Sequence, residues 1–107
     1  MAALVLALAG CVTPQSMRAR APDFTATSSK SVTEIAGCIG SSWRGPALAS
    51  SPITGGVSLS ETVGEDVDVM LEIKNEGQAR SLAVYFRHYP ISFLDTAGIT
   101  ARAKACL

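Results

Sequence analysis

Val67-Asp68-Val69-Met70-Leu71-Glu72-Ile73-Lys74 decides the fold. Val67, Val69, Leu71 and Ile73 alternate with Asp68, Met70, Glu72 and Lys74, a period of two over eight residues. A β-strand turns successive side chains to opposite faces, so this pattern predicts a strand with one covered and one wetter face. Antiparallel sheets tolerate that asymmetry, whereas parallel ones are buried on both sides. Upstream, Gly64-Glu65-Asp66 reads as a turn, and Val57 and Leu59 alternate with Ser58 and Ser60 on a strand ending near Val63. Thr54-Gly55-Gly56 is a further turn, preceded by a weak strand over Ala47–Ile53 that Pro52 assigns to a sheet edge. Downstream, Asn75-Glu76-Gly77 turns the chain into a fourth strand, on which Leu82, Val84 and Phe86 alternate with Ala83, Tyr85 and Arg87 up to Tyr89-Pro90.

Helices flank the strands. Ser31-Val32-Thr33-Glu34 has the form of a capping box, and Val32, Ile35, Ala36 and Ile39 follow as one apolar stripe. A helix over 32–42 is expected, with Trp43 at the rim of the core and Gly45-Pro46 as the stop. At the other end, Ser92 with Asp95 suggests a second capping box, and Leu94, Ala97, Ala101 and Ala105 a stripe of small residues. The expected fold is α+β, order α-β-β-β-β-α, with two helices packed on one face of a four-stranded antiparallel sheet.

The chain has 107 residues, nine basic and nine acidic, and is 48% apolar. That suffices for one domain and not two. A formal net charge of zero without a Lys/Arg run gives no electrostatic footprint for nucleic acid.

The front of the chain is different. Ala2–Ala9 reads AALVLALA, about 12 Å of helix against a hydrocarbon core of roughly 30 Å. It is too short to span and has the form of the apolar region of a cleaved export signal. Leu8-Ala9-Gly10-Cys11 resembles the lipobox of bacterial lipoproteins, at the place where a lipobox occurs. The resemblance covers the first dozen residues. It implies cleavage between Gly10 and Cys11, a diacylglycerol on the Cys11 sulfur, and acylation of the new amino terminus. Two or more acyl chains anchor stably where one binds marginally. With Val12 rather than Asp after the cysteine, the resemblance further implies the outer membrane, facing the periplasm. Residues 1–10 are therefore expected to be a signal peptide.

Residues 11–30, rich in Thr, Ser, Ala and Pro, are expected to form the lipidated cysteine and a flexible tether, on the order of 25 Å end to end. Phe24 is the one aromatic residue there, suited to docking as a short edge segment. Residues 31–107 are the expected domain. The helix segment Ala36-Gly37-Cys38-Ile39 and the ending Lys104-Ala105-Cys106-Leu107 resemble small proteobacterial lipoproteins of uncharacterised function, which adds to the fold expectation and implies no activity.

With Cys11 lipidated, Cys38 and Cys106 remain, an even count in an exported chain. Both lie toward the C-terminal ends of helices covering one sheet face, so a disulfide is expected. Buried free thiols are the alternative; no CxxC spacing supports a redox pair.

Catalytic chemistry is poorly represented. His88, the only histidine, continues the inward phase of Leu82, Val84 and Phe86, where a structural role is the simpler reading. There is no GxSxG elbow, no HxH or HExxH, and no Gly-rich loop with a following lysine. Neither a metal nor a cofactor is expected, and the protein is read as non-enzymatic. Tyr85, Arg87 and Tyr89 share the outward phase of the last strand, opposite Met70 and Glu72, and form a candidate binding face, since aromatic residues with arginine are enriched at interfaces. The expected function is a membrane-anchored envelope lipoprotein that binds another protein or cell-wall material, or serves a structural role. An inhibitor of a cell-wall hydrolase is the alternative, by analogy with lipoproteins of this size. A small enzyme is the third reading and would require a polar cleft assembled around His88.

Overall fold

A computed structural model describes residues 12–88 and 94–107. Eight elements follow in order: α1 Pro14–Arg18, β1 Phe24–Ser28, α2 Val32–Ser42, β2 Ala49–Ile53, β3 Gly56–Val63, β4 Asp66–Glu76, β5 Ala79–Phe86 and α3 Thr96–Ala105. The strands form one sheet in the order β1-β5-β4-β3-β2, all pairs antiparallel. The fold is α+β as expected, but with five strands and three helices rather than four and two.

The additions come from the segment read as a tether. Thr13 caps α1: its hydroxyl accepts from the Ser16 N–H at 3.1 Å, the Ser16 hydroxyl accepts from the Thr13 N–H at 2.9 Å, and Pro14 occupies the first turn. A five-residue helix cannot persist alone. Met17 holds it, 1% exposed against Val67, Met70 and Tyr85. Phe24–Ser28 pairs with β5 from Phe24↔Val84 to Ser28↔Arg80, a full edge strand in which Phe24 packs on the core. Phe24 thus docks within a short edge segment, as expected, and that segment is a fifth strand of the sheet.

α2 matches its expected bounds. The Ser31 hydroxyl accepts from the Glu34 N–H at 3.1 Å and donates to the Glu34 carboxylate at 3.2 Å, a side-chain closure in place of the expected return bond to the Ser31 amide. Ile35 and Ile39 are buried against Leu59, Val69, Leu71, Ile73, Leu82 and Val84. α3 packs on the same layer, but through Ile99, Ala103 and Cys106. The expected stripe of Ala97, Ala101 and Ala105 is exposed. Ile99 is the large apolar residue within the helix, and its burial outweighs that of three methyl groups. The helix starts at Asp95, whose carboxylate accepts from the Gly98 N–H at 3.0 Å. Ser92, expected as the cap, lies outside the described residues.

Three two-residue turns join the last four strands: Thr54-Gly55, Gly64-Glu65 and Gly77-Gln78. The last lies two residues beyond the expected start of its turn, because β4 stays paired through Glu76↔Ala79. Gly77 holds φ at +62°, a left-handed conformation that glycine adopts without steric cost. The alternation of β4 also breaks at one place. Glu61 pairs with Val69 and Thr62 with Val67, so Asp68 is an extra residue, a β-bulge. Val67 therefore turns to the α1 side, whereas Val69, Leu71 and Ile73 face α2 and α3. The expected wetter face is thus closed at its centre: Asp68, Met70 and Glu72 are all buried.

Candidate functional site

The expected disulfide is present. Cys38 and Cys106 are joined across α2 and α3, with Cα atoms 5.6 Å apart and 68 residues between them in sequence. Cys11 and Tyr89 lie outside the described residues.

Tyr85 and Arg87 do not form an open face. Tyr85 stands opposite Met70, as the expected register requires, but is 7% exposed because α1 lies over it. Desolvation raises its pKa above the usual 10.0, and the nearby Glu72 carboxylate adds to the rise while Arg18 opposes it. Glu72 itself is buried and accepts from Arg18 Nε at 2.8 Å. Arg87 reaches back to the bulge: its Nε donates to Asp68 Oδ1 at 2.9 Å, and its Nη1 lies 3.7 Å from Asp66 Oδ2. Its main-chain N–H donates to the Asp68 carbonyl at 2.9 Å. The face read from sequence as a binding surface is, for these two residues, an interface between the sheet and α1. The alternation gave the correct side of the strand, but α1 lay in a segment without an extended apolar period.

Asp66 carries a second role. Its Oδ1 accepts the Val12 N–H at 2.6 Å, and the Val67 N–H donates to the Val12 carbonyl at 2.9 Å. Val12 is thereby fixed to the first two residues of β4 from both sides of its backbone.

His88 sits beside this cluster. Its Nε2 is 2.6 Å from Asp23 Oδ1, and its Nδ1 is 3.2 Å from Arg20 Nη1. A guanidinium only donates, so Nδ1 must present its lone pair and the ring proton lies on Nε2, donated to Asp23. Asp23 Oδ2 also accepts the Phe86 N–H at 2.7 Å, and Arg20 Nη2 donates to the Phe86 carbonyl. The triad ties the end of β5 to the start of β1. A cleft of about 510 Å³ opens alongside, lined by Asp23, Arg87, His88, Thr96, Thr100 and Lys104 among others. A polar cleft at His88 is what the enzymatic reading required. Within that cleft the ring is engaged on both sides, by Asp23 at Nε2 and by Arg20 at Nδ1. Asp23 and Arg20 had no signal in the sequence, since they meet His88 across 65 and 68 residues.

Among the described residues no group of three or more His, Cys, Asp or Glu could hold a metal ion, and no helix is long and apolar enough to cross a membrane. The chain matches no protein-family model, and no curated protein or solved structure is significantly similar to it.

Proposed function

We propose that this protein is a small lipoprotein of the bacterial envelope, cut before Cys11, acylated there and held at the outer membrane facing the periplasm. Its role is binding or structural rather than enzymatic, with an envelope protein or cell-wall material as the partner. The observation that carries the reading is Leu8-Ala9-Gly10-Cys11 at the end of an apolar run too short to span a bilayer. A disulfide between Cys38 and Cys106 supports it, since such bonds persist in oxidising compartments. The tie that Arg20, Asp23 and His88 make between β1 and β5 gives the single histidine a structural role, which favours the non-enzymatic part.

Metabolic labelling with palmitate tests the anchor. The wild-type product takes up label, and Cys11→Ser abolishes it and leaves the longer precursor. Equal labelling of the two, or a mature product that keeps its apolar leader, overturns the reading.

A further inference from the structure

We infer that the domain stands directly on the bilayer in a fixed orientation, with the end of the sheet that carries the β3–β4 turn against the lipid headgroups. The inference rests on acylation of Cys11 and goes beyond it, because a lipid anchor alone fixes no orientation.

The distance argument comes first. Val12 is held on both sides of its backbone, to Asp66 Oδ1 at 2.6 Å and to the Val67 N–H at 2.9 Å. One trans peptide spans about 3.8 Å from Cα to Cα, so an acyl anchor on the residue before Val12 adds little reach. The polar layer on each side of the hydrocarbon is roughly 5–8 Å thick. An acylated residue one peptide bond from a fixed point brings that point to the headgroups. A free tether of 19 residues would have allowed on the order of 25 Å.

The surroundings of Val12 fit the contact. Asp66 pairs with Val63 across the two-residue turn, so Val63 is a neighbour of the fixed point. Val63 is 56% exposed, the one large apolar side chain so exposed among the described residues. A lone valine at the tip of a turn is unremarkable in water, but it belongs where acyl chains enter. At the same end of β3, the Trp43 indole is partly buried, with its Nε1 directed at Glu61 Oε1 3.5 Å away. An amphipathic indole is at home in an interfacial layer. Of the cations at this end, Arg20 and Arg87 already have partners in His88, the Phe86 carbonyl, Asp66 and Asp68, and Arg44 beside Trp43 is exposed. β4 rises about 3.4 Å per residue over its 11 residues, which puts the Gly77-Gln78 turn at the opposite end of the sheet, more than about 30 Å along the strand from the β3–β4 turn.

Tryptophan quenching tests the orientation. Val63→Trp and Gln78→Trp are made singly in a Trp43→Phe background, and the acylated proteins are reconstituted into phosphatidylcholine–phosphatidylglycerol vesicles with brominated acyl chains. Palmitate incorporation and the intact disulfide are confirmed for each. The expected result is loss of most emission from the residue 63 probe and little from the residue 78 probe. A flexible Gly/Ser spacer of about ten residues between Cys11 and Val12, which adds roughly 17 Å of reach, should erase most of that difference. Acylated proteins whose two probes are quenched alike overturn the orientation and leave the lipoprotein reading standing. So does a difference that the spacer does not reduce. Absence of palmitate on Cys11 removes both.

Discussion

Arg87 is joined to Asp68 twice, by its guanidinium to the carboxylate and by its amide to the carbonyl, each at 2.9 Å. Both side chains are about nine-tenths buried. Arg87→Ala strips a buried carboxylate of its guanidinium, and losing one member of such a pair costs about 3 kcal/mol or more. Urea denaturation of the variant is expected to show that loss. A change below about 1 kcal/mol would mean that water reaches the pair. The same expectation bears on binding studies, because a double Tyr85→Ala/Arg87→Ala variant would unsettle the fold under α1 before it reported on any partner.

Gly56→Ala should be more damaging than its single methyl suggests. A Cβ there would lie 1.8 Å from the Ile73 carbonyl oxygen and 2.9 Å from Lys74 Cα. Those are backbone atoms of the central strand and cannot swing aside. Overpacking of this kind costs at least about 2 kcal/mol. The thermal midpoint of the purified variant against wild type checks the expectation, and an unchanged midpoint would refute the close approach of β3 to β4.

The bond between Cys38 and Cys106 closes a loop of 68 residues. In the chain-entropy account a loop of that size is worth about 4 kcal/mol. Cys38→Ser/Cys106→Ser, or reduction of the wild type, should lower the melting temperature by on the order of 20 °C. Loss of only a few degrees would indicate that the reduced chain is already confined by its core.

Tyr85 imposes an alkaline limit. Its pKa is raised in the folded state, chiefly by desolvation. Below 10.0 the phenol is neutral in both states, and its contribution to stability is fully present. As pH rises past that value the unfolded chain releases the proton while the fold retains it, so stability falls until pH passes the folded value. Denaturant midpoints measured through this range should decline more steeply for wild type than for Tyr85→Phe. Parallel curves would show that Tyr85 titrates freely.

The sheet strands were legible because their periodicity is local, and so was α2, whose cap and stripe lie within nine residues. The face of α3 was misread because three alanines at helical spacing imitate a buried stripe, whereas Ile99 and the bonded Cys106 choose the side that packs. α1 was overlooked although Thr13-Pro14 is a helix-start signal, because one turn offers only Met17 as apolar content. The cluster of Arg20, Asp23 and His88 lay beyond reach for another reason. Its members are brought together by pairing of β1 with β5, a long-range event that no local pattern encodes.

The bulge at Asp68 has a consequence for how much this small chain can hold. A regular strand of period two supplies one hydrophobic layer on each face only if every residue is apolar. By adding one residue, β4 gives Val69, Leu71 and Ile73 to the larger layer and still delivers Val67 to the smaller one beneath α1. Deleting that single codon would keep Val67 opposite Thr62 and beneath α1, but it would withdraw both the carboxylate and the carbonyl that receive Arg87.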